Sequence, residues 1–191
     1  MIFLASQSPR RAELLRQIGV EFSVRVADID ESQLRDETPE TYVRRIAAAK
    51  ARAVFERETD DTRGIPVLAA DTTIALDGEI IGKPDDVGDC CRILRRLSGR
   101  EHDVLSAVTL MHQHHSSIRL CRSRVRFRRL DKREIEAYCA LDEPMDKAGA
   151  YAIQGRAAIF VEQLEGSYSG VMGLPLCETA ELLVEAGIEI F

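Results

Sequence analysis

The first nineteen residues, MIFLASQSPRRAELLRQIG, constrain the fold more than any other part of the chain. Met1–Ala5 is a short apolar run that reads as a buried strand, and Ser6, Gln7 and Ser8 follow as a tight polar turn. Pro9 then opens an amphipathic helix, with Ser8 as its N-cap and Gly19 just past its end. A strand that passes through a polar turn into a helix aims free backbone N–H groups at an anion. Arg10 and Arg11 fall in the first helical turn, where the helix dipole favours negative side chains. A bound phosphate or carboxylate offsets that local cost, so the start of the chain is a candidate anion site.

Strands and helices alternate along the rest, which predicts an α/β fold. Phe22–Ala27 reads as a strand. Thr38-Pro39 starts a helix that carries Tyr42, Ile46, Ala49 and Ala53 on one face and runs to about Arg57. Pro66–Leu76 reads as an apolar strand interrupted by Asp71-Thr72-Thr73, and Asp77-Gly78 as a hairpin turn before Glu79–Ile81. A helix over Asp86–Leu97 is closed by Gly99. Val104–Met111 and Ile118–Phe127 read as strands around a polar loop, and Asp131 with Glu134 opens a helix through Leu141. A strand is expected near Ala158–Leu164 and a last helix after Leu174-Pro175. The 191 residues predict a single domain, with any second lobe inserted over roughly residues 85–150.

Composition excludes several classes. No apolar stretch approaches the roughly 20 residues that span a bilayer. The N-terminus has neither a basic n-region nor a signal-type apolar region, so a cytoplasmic location and no membrane partner are expected. A net charge of −6 argues against nucleic-acid binding through bulk charge. Five cysteines in an odd set, without a CxxC pair, read as reduced thiols and not as a disulfide framework or zinc site.

Asp71 is the sharpest chemical signal, because a carboxylate behind Val67, Leu68, Ala69 and Ala70 must be paired or bind a cation. Taken alone, Asp71 also suits a strand-end cap, Glu31 an exposed loop acid, and Lys50 or Lys83 a solvated surface lysine. Together, carboxylates for a hard divalent ion and several cations for phosphates make a metal-assisted nucleotide hydrolysis site. Gly78–Pro84 is not a P-loop, since only three residues separate Gly78 from Gly82 and Pro84 follows Lys83. His112, His114 and His115 read as a tolerated polar loop, and His102 has no evident partner. Arg122, Arg124, Arg126 and Arg128 would line one face of a strand, either as a polyanion patch or as a solvated edge that discourages pairing; the acidic net charge favours the latter.

The ordered set of motifs resembles the Maf family of nucleoside triphosphate pyrophosphatases, formerly described as septum-formation proteins. The resemblance runs through LASQSPRRAELL at 4–15, Glu31, Lys50-Ala51, AADT at 69–72, GKP at 82–84, LSG at 97–99, DEPMDKAGAYAIQG at 142–155 and GLPL at 173–176. It implies a Maf/inosine-triphosphatase-like fold, in which a twisted mixed sheet with flanking helices carries a deep cleft between two lobes. Members are often homodimers. Arg10, Thr72 and Gln154 match the subgroup acting on dTTP and UTP and depart from the one acting on 7-methyl-GTP. A glutamine amide offers a donor and an acceptor suited to the O4/N3 edge of uracil or thymine.

The resemblance implies release of pyrophosphate from dTTP or UTP, a house-cleaning role with a link to cell-division arrest. Mg²⁺ or Mn²⁺ would sit between Glu31, Asp71 and the phosphates, with Asp71 as the base. Arg11, Lys50 and Lys83 would neutralise the triphosphate, Ser6 and the backbone near Ser8 would cradle a phosphate, and Arg10, Thr72 and Gln154 would set base choice. The competing readings are the same chemistry on a methylated guanine nucleotide, a non-catalytic nucleotide-binding regulator of septum formation, and an RNA-binding module on the arginine strand.

Overall fold

The computed structural model describes residues 1–59, 62, 64–113 and 115–190, so the reading of His114 lies outside the described residues. In chain order the elements are β1 (Ile2–Leu4), α1 (Pro9–Gln17), β2 (Phe22–Val24), α2 (Pro39–Phe55), β3 (Val67–Leu76), β4 (Glu79–Ile81) and α3 (Val87–Leu97). They continue as β5 (Glu101–His112), β6 (His115–Phe127), α4 (Lys132–Cys139), β7 (Val161–Glu165), α5 (Tyr168–Met172) and α6 (Leu176–Glu185). Seven strands form one twisted, open, mixed sheet in the order β2-β1-β3-β5-β6-β7, with β4 added to β3.

The helices begin where local chemistry starts them. Thr38 accepts from the Thr41 amide and Asp86 from the Asp89 amide. Asp131 and Glu134 form a complete capping box. The buried stripe of α2 is Val43, Ile46, Ala47, Ala51 and Val54, not the face expected from Tyr42, Ala49 and Ala53. Those three small or amphipathic residues stay partly exposed because Val43 and Val54 offer more apolar area to the sheet.

Strand β3 feeds both faces of the sheet by simple alternation. Val67, Ala69 and Ala75 pack towards α2, whereas Leu68 and Ala70 pack under α1 and α6. Ile74 and Leu76 join the cluster of Leu94, Leu97, Phe127, Tyr138 and Phe160 between α3 and α4. Truncating a fully buried leucine there, such as Leu94, costs about 2–5 kcal/mol.

Three expectations are corrected. Cys90 of α3 and Cys139 of α4 form a disulfide, with Cα atoms 5.8 Å apart, whereas Cys91, Cys121 and Cys177 are free thiols. The two partners meet because α3 and α4 pack together, across a separation of 49 residues that no local spacing reveals. Where a strand was expected from Ala158, Arg156–Phe160 coils into a 3-10 turn that buries Ala157 and Phe160, and β7 starts only at Val161. The strand expected over Phe22–Ala27 stops at Val24.

The feature that positions the site is a gap in the sheet. On one edge, β3 pairs with β5 along its length from Val67 to Ala75. On the other, β1 covers Val67 and Leu68, and β4 covers Ile74 to Leu76. Among the described residues, no strand pairs with Ala69–Thr73 on that second edge. Asp71 sits in the middle of this notch.

Candidate functional site

An open cleft of about 1000 Å³ runs through the notch. Its wall carries each residue that the family resemblance proposes for the site: Ser6, Ser8, Arg10, Arg11, Glu31, Lys50, Asp71, Thr72, Lys83 and Gln154. Six separate chain segments thus converge, although they are scattered over residues 6–154.

The centre is a three-membered charge cluster. Asp71 is 6% exposed and accepts from Lys50 Nζ through Oδ1 at 2.8 Å. The same ammonium lies 3.0 Å from Glu31 Oε1. Lys50 reaches both because it projects from the half-buried side of α2, between Ala47 and Ala51. Glu31 comes from the irregular segment after β2, and its carbonyl accepts from the Tyr42 hydroxyl at 3.0 Å. Burial, reinforced by the charges of Asp71 and Glu31, pushes that phenol up to about 12, so Tyr42 stays a neutral donor.

The N-terminal turn forms the second wall. Ser8 is the N-cap of α1, but no side chain caps the helix; its own amide donates to Ser6 Oγ at 3.1 Å. The first-turn amides are therefore left without a side-chain partner, as the helix start of an anion site requires. Arg11 Nε donates to Gly173 O at 2.8 Å, and its Nη1 donates to Ser6 Oγ at 3.4 Å. Gly173 takes a φ of +118°, a backbone that side chains resist, and so brings its carbonyl to Arg11. Burial lowers the basicity of Arg11, which the charges of Asp71 and Glu31 oppose.

The third wall is basic. Lys83 is exposed and makes no ion pair among the described residues. Lys147 pairs with Asp146, yet its pKa is pulled down to about 8, first by burial and then by Arg10, with Lys83 adding to the repulsion and Glu143 opposing it. Glu143 is itself engaged, accepting from the Tyr138 hydroxyl at 2.9 Å and the Arg156 amide at 3.0 Å. Burial likewise lowers Arg10. Cations crowded beyond their local counter-charge are poised for a polyanion.

The loops carrying Lys83 and Lys147 are tied together by the backbone. The Gly149 amide donates to Gly82 O at 2.9 Å. Gly149 has a φ of +71°, and a Cβ there would lie 2.3 Å from Ile74 Cδ1. Only glycine lets this crossing occur.

Sequence reasoning missed Tyr42, Glu143, Lys147 and the Gly173 carbonyl. The stretch DEPMDKAGAYAIQG was visible as a motif, but its irregular backbone gave no period from which to tell inward from outward side chains. The arginines of β6 lie outside the cleft. They alternate with buried Cys121, Ser123, Val125 and Phe127 and are met by acids: Arg122 by Asp103 at 2.6 Å, Arg126 by Glu162 at 3.0 Å and Arg128 by Glu134 at 2.6 Å. His102, which had no evident partner in the sequence, is a core histidine. It is 3% exposed, bonded through Nε2 to the Tyr151 hydroxyl at 2.8 Å, and held neutral by burial with its pKa down at about 4.

A carboxylate pair bridged by an ammonium, flanked by unneutralised cations and a helix start, can hold a phosphate chain and hand a proton to Asp71. Among the described residues no three acids, histidines or cysteines cluster as a self-sufficient metal cage. No helix among them is long and apolar enough to cross a membrane.

Comparison with known proteins places this geometry in context. Residues 1–186 match the family model described as Maf-like protein. A dTTP/UTP pyrophosphatase from Nitrosomonas europaea is 51% identical, with 100% of this chain and 96% of that protein covered. A dTTP/UTP pyrophosphatase from Hahella chejuensis is 52% identical over 100% of this chain and 94% of its own length. Among solved structures, the Staphylococcus aureus Ham1 protein matches 66% of this chain and 71% of its own at 14% identity, with a TM-score of 0.43.

Proposed function

The chain belongs to the Maf-like protein family, and from that premise we propose that it hydrolyses dTTP and UTP to the monophosphate and pyrophosphate. The observation that carries the proposal is the Asp71–Lys50–Glu31 cluster in the β3 notch, facing Arg10, Arg11, Lys83 and Lys147 across one cleft. Full-length relatives at about half identity carry that activity in their names.

The reaction joins a water oxygen to the α-phosphorus and breaks the bond to the bridging oxygen, so that pyrophosphate leaves with the electron pair. Lys50 holds Oδ1 of Asp71, which assigns the other carboxylate oxygen, Oδ2, to take the water's proton. Arg11, Lys83 and Lys147 bind the β- and γ-phosphates and stabilise the charge that grows on the leaving group. Ser6 and the first-turn amides of α1 orient a phosphate oxygen. Arg10, Thr72 and Gln154 set the choice of base.

The residues present also fit a divalent ion. Asp71 and Glu31 already converge on a single cation, and an ion held by one or two carboxylates, substrate phosphates and waters is what Mg²⁺ prefers. When bound there, Mg²⁺ or Mn²⁺ would polarise the phosphate and lower the pKa of the attacking water. A house-cleaning role on free nucleotides in the cytoplasm follows from this reading.

The test is product analysis over a panel of dTTP, UTP, CTP, ATP, GTP and 7-methyl-GTP with Mg²⁺ or Mn²⁺. Monophosphate and pyrophosphate from dTTP and UTP ahead of the others is the expected result. Preference for 7-methyl-GTP, or release of inorganic phosphate with a diphosphate, would overturn it.

A further inference from the structure

Thr72 and Ser106 face each other across β3 and β5. Their hydroxyl oxygens are 2.7 Å apart, close enough that one must donate to the other. Ser106 is 1% exposed, and its Oγ also lies 2.6 Å from the carbonyl oxygen of Gly170 on α5. A carbonyl oxygen can only accept, so the single proton of Ser106 goes to Gly170. The reverse arrangement would set two lone pairs against each other at 2.6 Å. The proton between the two hydroxyls therefore belongs to Thr72, which donates it to Ser106.

That assignment fixes what Thr72 offers to the cleft it lines. Its one proton points down into the protein, and only lone pairs remain on the cleft side. We infer that Ser106 is a positioning residue that locks Thr72 as a hydrogen-bond acceptor, so that the cleft selects a base bearing a ring N–H. Uracil and thymine carry such a donor at N3, whereas cytosine presents a lone pair there. A phosphate oxygen, itself an acceptor, is equally a poor partner for Thr72. Arg11 lies nearby and gives its Nε and Nη1 to Gly173 O and Ser6 Oγ. The Gly170 carbonyl is an anchored end for the chain, since it also accepts from the Gly173 amide at 3.0 Å, while its own amide donates to Ser167 Oγ at 3.0 Å.

The inference rests on the pyrimidine reading above and is tested by the ratio of kcat/KM for UTP to that for CTP. In the wild type the ratio is high. In Ser106→Ala the Thr72 proton becomes free to turn towards the cleft and donate to cytosine N3. The ratio then falls about tenfold, the size of one mismatched hydrogen bond, mainly through a gain on CTP. Ser106→Thr, which keeps the hydroxyl, restores it. A merely structural role for Ser106 lowers both substrates together and leaves the ratio where it was, which would overturn the inference. The wild type alone supplies a check that no folding defect can blur. N3-methyl-UTP, which lacks the donor, loses about tenfold or more against UTP, and equal turnover of the two would also overturn the inference. A wild type inert towards UTP and CTP alike overturns the functional reading and this assignment with it, a result distinct from UTP hydrolysis with an unmoved ratio.

Discussion

The molecule holds two arginine- and lysine-rich regions, and they differ in what neutralises them. On β6 and just past its end, Arg122, Arg124, Arg126 and Arg128 lie on the outer side, and each is met by one or two acids from neighbouring elements. Such exposed pairs add little to stability and leave little unmet charge. In the cleft, Arg10 and Lys147 are half-buried, their charged forms disfavoured by burial and, at Lys147, also by Arg10, and Lys83 has no ion pair among the described residues. A count of basic residues therefore misleads. The denser basic run is the satisfied one, and the sparser set, spread over residues 10–147, is the one we propose binds the substrate's phosphates.

The comparison can be broken most forcefully at its acidic centre. Asp71→Asn keeps the shape of the side chain and its contact with Lys50 but removes the proton acceptor. Turnover of dTTP is expected to fall by about 10²–10⁴-fold while thermal unfolding stays cooperative. Activity close to the wild type would remove Asp71 from its role.

Next in size is Gly149→Ala. The added methyl meets Ile74 and forces a left-handed backbone on alanine, so it should part the loops bearing Lys83 and Lys147. The expected result is a lower melting temperature together with a KM for dTTP raised more than kcat is lowered; an unchanged KM would show that the two loops act separately.

Lys147 sharpens the contrast through pH. Its folded-state pKa of about 8 lies below that of a free lysine, so the amine is charged and phosphate-binding below pH 8 and loses its proton above it. The kcat/KM of the wild type relative to Lys147→Met should fall as pH rises from 7 to 9. A ratio flat across that range would mean that Lys147 does not meet the substrate.

The smallest effect belongs to β6. Arg124→Ala with Arg126→Ala should change kcat/KM by less than about twofold, as for exposed, ion-paired charges far from the reacting atoms. A large loss would revive the polyanion reading of that strand.

Much of this was legible in the sequence where the deciding interaction is local. The Met1–Gly19 strand–turn–helix, the Thr38, Asp86 and Asp131 caps and the apolar strand around Asp71 each depend on residues within a few positions of one another. The candidate site residues were readable because the family motifs carry them, and the notch explains why they meet. What was not legible depends on packing between distant segments. The Cys90–Cys139 bond needs α3 against α4. The 3-10 turn at Arg156 is held by Phe160, whose carbonyl accepts from the Arg128 amide. Lys147 becomes chemically unusual only because folding buries it and places Arg10 and Lys83 near it.

The most direct measurement is pyrophosphate release from dTTP by three proteins side by side: the wild type, a Lys83→Ala/Lys147→Ala variant and the Arg124→Ala/Arg126→Ala variant. The account predicts a KM raised about tenfold or more in the cleft variant and unchanged in the β6 variant. Equal effects from the two, or a larger one from β6, would contradict it.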